Sequence, residues 1–211
     1  MKIAFIGYGK VGGSLALSLC ELRHEVFLVK HKESSERLQE LLQSESRLKA
    51  ITADSAISEA DLIFLATPFM MAKEALTPLE KYLEGKILVD CTNPVGPGLT
   101  HGLNNEESGT EYIQKLLPHT RVIKAFSIYG YENFKLHQYV NSPVKPVMMF
   151  CGNDDAAKQK VASLITEMGW EPLDVGAAHQ ALHLEHMTLL WVDYIRKSGK
   201  EPLLVWAAIR G

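Results

Sequence analysis

Apolar residues along the chain fall into short continuous runs, separated by longer segments in which they recur every three or four positions. The runs predict strands over residues 2–6, 25–29, 61–66, 86–91, 121–127 and 147–151. The segments between them predict helices over residues 11–22, 34–44, 69–83, 111–117 and 154–168. Strands that are apolar on both faces and alternate with helices are typical of a parallel sheet covered on both sides. The chain is therefore predicted to be a doubly wound, mostly parallel α/β protein.

Further strands and boundary signals complete this prediction. Residues 50–52 and 171–175 indicate a short third strand and a late one. Ser34 is placed to cap a helix, Gly169 to end one in the left-handed conformation, and Pro78 to interrupt one. Residues 92–109 form the longest predicted loop. That loop follows the carboxyl end of a strand, where ligands bind in open α/β sheets.

The chain changes character after Val175, because residues 178–198 have helical spacing and no strand is predicted beyond them. We expect one domain over residues 1–177 and a C-terminal helical extension over residues 178–211. The extension is expected to pack on the same domain or on a partner subunit. Its apolar surface exceeds what one sheet face obviously covers, which predicts a homodimer. The apolar residues concerned are Leu182, Leu189, Leu190, Trp191, Tyr194, Leu203, Leu204, Val205 and Trp206.

Composition and charge exclude several classes of function. The net charge of −3 gives no general attraction to nucleic acid or to an anionic membrane. Cys20, Cys91 and Cys151 have no paired spacing, which argues against a disulfide framework and against a zinc knuckle. No apolar stretch approaches the ~20 residues of a membrane span. The first residues run directly into a predicted strand, so no signal peptide is expected there. We therefore expect a reduced, cytoplasmic protein.

Residues 7–12 fit the G-x-G-x-x-G pattern of dinucleotide-binding loops. The pattern alone is weak, but here it follows the first strand, opens a helix and precedes a second strand, as in a Rossmann sheet. Gly7 is expected to make the tight turn, Gly9 to let the backbone approach a pyrophosphate, and Gly12 to let the helix pack on the sheet. The helix N-terminus then stabilises the phosphates. The cofactor-binding residues predicted in this loop are Gly7, Tyr8, Gly9, Lys10, Val11 and Gly12.

The turn after the second strand predicts which dinucleotide is bound. A protein that binds NAD usually carries an acidic residue there, which accepts hydrogen bonds from the ribose hydroxyls. This chain instead has Lys30, His31 and Lys32, and no carboxylate precedes Glu33 in the turn. A 2′-phosphate forms charge-assisted hydrogen bonds with such side chains. NADP is therefore predicted over NAD, and a solvated basic loop is the alternative.

Other short segments occur in the same order in one known family. They are Ala66-Thr67-Pro68, Asp90-Cys91-Thr92-Asn93-Pro94, Lys124-Ala125-Phe126-Ser127, Cys151-Gly152-Asn153-Asp154-Asp155, Pro172-Leu173-Asp174-Val175-Gly176 and Leu184-Glu185. With the glycine loop and the basic turn, they make the chain resemble the NADP-dependent reductases of the deazaflavin coenzyme F420 and related dinucleotide-binding oxidoreductases. The chain is also similar to the cytosolic oxidoreductase domain of the membrane ferric reductases. It departs from the family at Ser127, His183 and His186.

The resemblance implies a Rossmann fold, NADP as cofactor, and a flavin or deazaflavin as possible co-substrate. It implies that Thr67 and Pro68 line the ribose and nicotinamide. It also implies that Asn93, Phe126 and Ser127 approach the nicotinamide end. All three segments follow predicted strands at the edge that carries the glycine loop, although Thr-Pro and Asn-Pro are also ordinary turn sequences. The predicted apolar wall of an acceptor site consists of Tyr8, Met70, Met71, Tyr129, Tyr131 and Phe134.

The sequence offers no compelling catalytic acid, base or nucleophile. Lys124 could donate to a substrate, but a basic residue on a strand more often meets solvent or a carboxylate, and Cys91 is expected in the core. His179, His183 and His186 could share a helix face, yet no fourth ligand has a clear place, so no metal is predicted.

Alcohol chemistry needs a proton donor beside the hydride, whereas transfer between two rings needs mainly proximity. We therefore predict an NADPH-dependent oxidoreductase with a flavin or deazaflavin acceptor. Reduction of a small ketone or imine, and an NADP-sensing module without turnover, are the alternatives.

Overall fold

The computed structural model of the protein describes residues 1–30, 35–136, 139, 141–199 and 201–211. The strands are β1 (Lys2–Ile6), β2 (Glu25–Val29), β3 (Leu48–Ile51), β4 (Leu62–Leu65), β5 (Ile87–Asp90), β6 (Arg121–Lys124), β7 (Val147–Gly152) and β8 (Glu171–Asp174). The helices are α1 (Lys10–Glu21), α2 (Glu36–Ser44), α3 (Ala53–Glu59), α4 (Ala72–Leu76), α5 (Glu80–Leu83), α6 (Gly109–Leu116), α7 (Asp155–Glu167) and α8 (Ala181–Ser198).

The eight strands of the described residues form one sheet in the order β3-β2-β1-β4-β5-β6-β7-β8. Neighbouring strands are parallel except β6 and β7, which pair antiparallel. The chain runs from β1 outward to β3 and then returns to the other side of β1 to form β4. The carboxyl ends of β1 and β4 therefore flank the point where the strand order reverses, which is where ligands bind in such sheets. The predicted doubly wound, mostly parallel sheet is confirmed.

Strand side chains alternate between two apolar cores, one on each face of the sheet. Ile3 and Phe5 of β1 face the core that α1, α2, α7 and α8 cover. Ala4 and Ile6 face the core that α3, α4, α5 and α6 cover. The strands are apolar at nearly every position because both faces are buried.

Two predicted elements end or break earlier than expected. The strand predicted over residues 121–127 ends at Lys124, and Phe126 has φ of 54°, which lies outside the strand region. The helix predicted over residues 69–83 is divided into α4 and α5 by a 3-10 turn at Thr77–Leu79. Pro78 lies in that turn, where it cannot donate the hydrogen bond that a continuous helix needs.

Two local features differ from the prediction. Ser35 caps α2 by accepting a hydrogen bond from the N–H of Leu38, whereas Ser34 lies outside the described residues. No pattern predicts α3, because its seven residues are too few to show a helical period. Gly169 has φ of 90° directly after α7, as predicted for a residue that ends a helix.

The C-terminal region packs largely on its own sheet. Trp191 of α8 is buried, and its Nε1 donates to the carbonyl of Leu204 at 2.8 Å. The N–H of Val147 donates to the carbonyl of Trp206 at 2.9 Å. Much of the apolar surface predicted to meet a partner is therefore used within the chain. In the described part of the chain, no helix is both long enough and apolar enough to cross a membrane.

Candidate dinucleotide site

The loop after β1 contains three glycines, and two of them are required by packing. Gly7 has φ of 94°, and a Cβ added there would lie 2.7 Å from the carbonyl carbon of Ala66. A Cβ on Gly12 would lie 2.3 Å from the carbonyl oxygen of Gly7. A Cβ on Gly9 would meet no described atom within 4 Å apart from its chain neighbours. Packing among the residues that the structure describes therefore does not explain Gly9, whose open surface suits the close approach of a ligand.

Helix α1 begins at this loop with an uncapped first turn. Gly9 is its N-cap, and among the described residues no side chain caps the turn. The N–H groups of a first turn have no partner within the helix, and the helix dipole favours an anion there. Lys10 is exposed, with its ammonium 5.3 Å from the centroid of the Tyr131 ring. Tyr8 is buried and Val11 is half-buried, so neither side chain is freely exposed at the loop.

A cleft of about 630 Å³ opens between the carboxyl ends of β1 and β4. Its size is that of a small-molecule or cofactor site. Its lining is mostly apolar, which suits an adenosine group. The lining residues are Ile6, Gly7, Gly9, Val29, Lys30, Ala53, Ala66, Thr67, Pro68, Met71, Glu74, Ala75, Pro78 and Leu79.

Lys30 is the cation among the described residues that line this cleft. It follows β2, its side chain is exposed, and its N–H donates to the carbonyl of Ile51 at 2.9 Å. The start of the basic turn is therefore held against β3, beside the cleft. His31 and Lys32, the other residues predicted to contact a 2′-phosphate, lie outside the described residues.

Thr67 and Ser127 each carry a buried hydroxyl without a hydrogen-bond partner among the described residues. They follow β4 and β6, at the sheet edge that carries the glycine loop. Buried polar groups are nearly always hydrogen-bonded, and leaving one unsatisfied costs about 1–3 kcal/mol. The two hydroxyls are therefore candidates for hydrogen bonds to a bound ligand or to water. Pro68 beside Thr67 is exposed and lines the cleft.

Asn93, which follows β5, connects the loop after β6 to α8. Its Nδ2 donates to the carbonyl of Ser127 at 3.0 Å, and its Oδ1 accepts from the hydroxyl of Thr188 at 3.0 Å. The same hydroxyl lies 3.0 Å from the carbonyl of Ser127. The Asn93 amide thus fixes the loops after β5 and β6 relative to α8. Thr188 is a member of the site that sequence reasoning missed; a polar residue among the apolar positions of α8 was the available signal.

Phe126 contributes its backbone to this edge, because its ring is fully buried. The ring centroid lies 5.6 Å from that of Phe64 and 6.1 Å from that of Phe134. Its φ of 54° is unusual for a bulky residue and costs about 1–3 kcal/mol. Because the ring is anchored in the core, the positive φ of Phe126 changes the direction of the chain there. Ser127 then follows at the sheet edge.

The predicted apolar wall of an acceptor site is wrong for Tyr129 and Phe134. Phe134 is fully buried in the core. Tyr129 is also buried, and its hydroxyl donates to the carbonyl of Val147 at 2.8 Å. The sequence could not show that the chain after Ser127 turns into the sheet face. Met70 is 84% exposed, and Met71 lines the cleft between β1 and β4.

The ends of β5 and β6 also carry a buried ionic network, which consists of Asp90, Lys124, Glu185 and His101. Lys124 Nζ lies 3.2 Å from Asp90 Oδ2 and 3.0 Å from Glu185 Oε1. Burial lowers the pKa of Lys124, but the Asp90 and Glu185 carboxylates raise it by more, so its pKa lies above the ordinary value. Lys124 is therefore an ammonium paired with carboxylates and is not open to a substrate.

In the part of the chain that the structure describes, the surroundings of Cys91 and of the three C-terminal histidines give them no place in a catalytic or metal site. Cys91 is buried, and burial raises the pKa of its thiol well above the ordinary value. His186 Nε2 lies 2.7 Å from the Oδ1 of Asn105, and His179 and His183 are exposed. Among the described residues, no group of three or more His, Cys, Asp or Glu is arranged to hold a metal ion.

Comparison with known proteins relates this geometry to one family. Residues 2–94 match the family model described as NADP oxidoreductase, coenzyme F420-dependent. The F420-dependent NADP reductase of Methanocaldococcus jannaschii is 25% identical over 206 residues, which cover 91% of each chain. A crystal structure from Arthrobacter sp. FB24, assigned as an F420-dependent NADP reductase, superposes with a TM-score of 0.89 and 26% identity over the whole of both chains. The predicted family resemblance is confirmed.

The predicted similarity to ferric reductases is also found. The metalloreductase STEAP3 of Rattus norvegicus is 30% identical over 189 residues, which are 89% of this chain and 36% of that protein. The present chain thus spans about a third of that relative's length. The matching family and the full-length relative are NADP-dependent oxidoreductases, so the prediction of an NADP-dependent oxidoreductase is confirmed.

Proposed function

We propose that this chain transfers hydride between NADP(H) and a deazaflavin or flavin acceptor. The observation that carries the proposal is the pair of buried hydroxyls of Thr67 and Ser127, which have no hydrogen-bond partner in the part of the chain that the structure describes. They lie at the carboxyl edge of the sheet, which also carries the glycine loop. A dinucleotide binds across this edge, at the point where the strand order reverses. The relatives named as F420-dependent NADP reductases support the same acceptor class.

The described residues divide into groups that fit the parts of NADP. The first turn of α1 and the open surface at Gly9 suit the pyrophosphate, and the apolar cleft between β1 and β4 suits the adenosine. Lys30, with His31 and Lys32 next to it in sequence, suits the 2′-phosphate. The hydroxyls of Thr67 and Ser127 then contact the ribose and nicotinamide. When bound, NADPH supplies the hydride, and these residues hold and orient it.

The surroundings of the ionisable groups favour a ring acceptor over a ketone or imine. Asp90 and Lys124 lie at the ends of β5 and β6, but both are fully buried and paired with each other. Glu185 is buried against Lys124 as well. These groups are thus held away from the role of a proton donor that carbonyl reduction needs. Transfer between two rings relies on proximity and orientation, which the rigid strand ends supply.

The first test measures which dinucleotide binds. The unmutated protein is expected to bind NADPH at least about tenfold more tightly than NADH, which is about 1.4 kcal/mol. Lys30→Ala should reduce this preference, because one cation of the phosphate site is lost, and should leave NADH affinity nearly unchanged. Lys115→Ala, at an exposed lysine of α6 that pairs with Glu107, is the matched control. Equal affinities for the two dinucleotides in the unmutated protein would overturn the assignment.

The second test follows the hydride itself. NADPH carrying deuterium at the transferring position is offered with coenzyme F420, with FMN, and with small ketones and imines. The label is expected in the reduced deazaflavin or flavin, without exchange into solvent. Turnover of a ketone or imine alone would show the alternative reductase activity. NADPH binding without turnover of any acceptor would show a sensing module.

We further propose that the protein is a cytoplasmic homodimer. The support for a dimer lies on α8. Leu190 of α8 is 59% exposed, and Tyr194 one turn later is 47% exposed. Exposed apolar residues at this spacing form a stripe along one helix face, and such patches commonly mark interfaces.

A further inference from the structure

The buried ionic network lies at the ends of β5 and β6, and every proton of its lysine is used. Lys124 Nζ donates to Asp90, to Glu185 and to the carbonyl of Thr92, which matches the three donors of an ammonium. Asp90 also accepts from the N–H of Thr92 at 2.9 Å and from the hydroxyl of Thr110 at 2.7 Å. The network therefore fixes the backbone that leads directly into Asn93.

Glu185 contributes the part of this network that comes from α8. Its two oxygens accept from Lys124, from the N–H of Gly109 at 3.0 and 3.1 Å, and from His101 Nε2 at 2.8 Å. Gly109 is the first residue of α6, so the N-terminus of that helix also favours the carboxylate. Glu185 thus joins α8 to β6, α6 and the loop after β5.

The hydrogen bonds of His101 assign the charge of the network. Its Nδ1 accepts from the N–H groups of Leu103 and Asn105, each at 3.3 Å. A ring nitrogen that accepts carries no proton, so the proton is on Nε2 and is donated to Glu185. His101 is therefore neutral, and the network holds two carboxylates and one ammonium. Burying such a set rarely adds stability over apolar residues of the same size, which points to a role in geometry.

We propose that Glu185 is a positioning residue for the nicotinamide half of NADP. It fixes α8 against the ends of β5 and β6. One turn later, the hydroxyl of Thr188 on the same helix lies 3.0 Å from both Asn93 Oδ1 and the carbonyl of Ser127, which share its one proton. Loss of the Glu185 charge should let α8 shift and change the spacing of Asn93 and Ser127. No described residue of α8 lines the cleft between β1 and β4, which should be unaffected. The inference rests on the proposed function only for where the nicotinamide lies.

The test compares NADP⁺ with 2′,5′-ADP, a fragment that lacks the nicotinamide half. The dissociation constant of 2′,5′-ADP divided by that of NADP⁺ measures what the nicotinamide half contributes. Glu185→Gln leaves a balanced Asp90–Lys124 pair, so the variant is expected to fold. It should leave the 2′,5′-ADP affinity within about twofold and reduce the ratio at least about fivefold, or about 1 kcal/mol.

Ile195→Ala is the matched control, because Ile195 is a buried core residue of the same helix outside the network. It should lower Tm and leave the ratio unchanged. The proposal is wrong if Glu185→Gln behaves in the same way, or if the unmutated protein binds NADP⁺ no more tightly than 2′,5′-ADP. Should Glu185→Gln not fold, His101→Ala removes one donor to Glu185 and is expected to reduce the ratio; an unchanged ratio there would overturn the proposal.

These measurements need no turnover. A protein that binds NADP⁺ with the expected ratio but passes hydride to no acceptor would contradict the proposed function, while the role of Glu185 would still be decided.

Discussion

Gly9→Ala separates a glycine kept for a ligand from one kept for packing. An added Cβ at Gly9 would meet no described atom within 4 Å apart from its chain neighbours. Its backbone has φ of −64° and ψ of −153°, which avoids the left-handed region that disfavours alanine. We therefore expect Tm to change little. The methyl group would stand where the pyrophosphate approaches, and NADPH affinity should fall.

The size of that fall follows from the hydrogen bonds at stake. If the methyl group displaces the phosphate from about two N–H groups, and each bond to a charged group contributes about 1.5 kcal/mol, the loss is about 3 kcal/mol. That corresponds to roughly a hundredfold weaker binding. Calorimetric titration with NADPH measures the affinity, and thermal unfolding without ligand measures Tm.

Gly12→Ala supplies the opposite case. Its Cβ would lie 2.3 Å from the carbonyl oxygen of Gly7, so the loop must move and Tm should fall even without ligand. A folded Gly9→Ala protein that binds NADPH as tightly as the unmutated chain would refute the placement of the pyrophosphate at this loop. Equal losses of Tm in the two variants would refute the packing distinction.

Three further predictions concern stability and assembly. Lys124→Met leaves the buried Asp90 and Glu185 carboxylates without their ammonium, so urea unfolding should show a loss of about 3–5 kcal/mol; a loss below about 1 kcal/mol would contradict the pairing. The hydrogen bond from Arg47 lowers the pKa of Glu45 from 4.5 to about 2. The Glu45–Arg47 pair therefore stabilises the fold fully above the pKa of Glu45 in the unfolded chain, and this stabilisation is lost as pH falls towards the pKa of Glu45 in the folded protein. The Tm difference between the unmutated protein and Glu45→Gln should shrink over that range; a constant difference would argue against the pair. Light scattering should show a dimer, and Leu190→Ser should weaken it; a monomer at high protein concentration would rule the dimer out.

Most of the architecture could be predicted because it depends on local patterns. Continuous apolar runs mark strands that are buried on both faces, and glycines at fixed spacing after the first strand mark the reversal point of the sheet. The residues that follow strands could be assigned to one edge for the same reason, since parallel strands end on the same side. This reasoning predicts Gly7, and it agrees with the family resemblance that implies Thr67, Asn93 and Ser127.

Side-chain direction after a strand end could not be predicted in the same way. Tyr129 and Phe134 lie a few residues beyond Ser127 and were expected at the acceptor site, yet both are buried in the core. The reversal at Phe126, with its φ of 54°, changes the direction of the chain there. A positive φ at a bulky residue leaves no local pattern, because surrounding packing enforces it against its own preference.

The sequence by itself determined the sheet and the glycine loop and predicted a phosphate-bearing dinucleotide, because each depends on residues close together in the chain. Only the tertiary structure decided the surroundings of the ionisable groups. Glu185 and Lys124 are 61 residues apart, and His101 and Glu185 are 84 apart. Such pairs form when helices from distant parts of the chain close over the strand ends, and burial then makes an unpaired charge costly enough to select its partner.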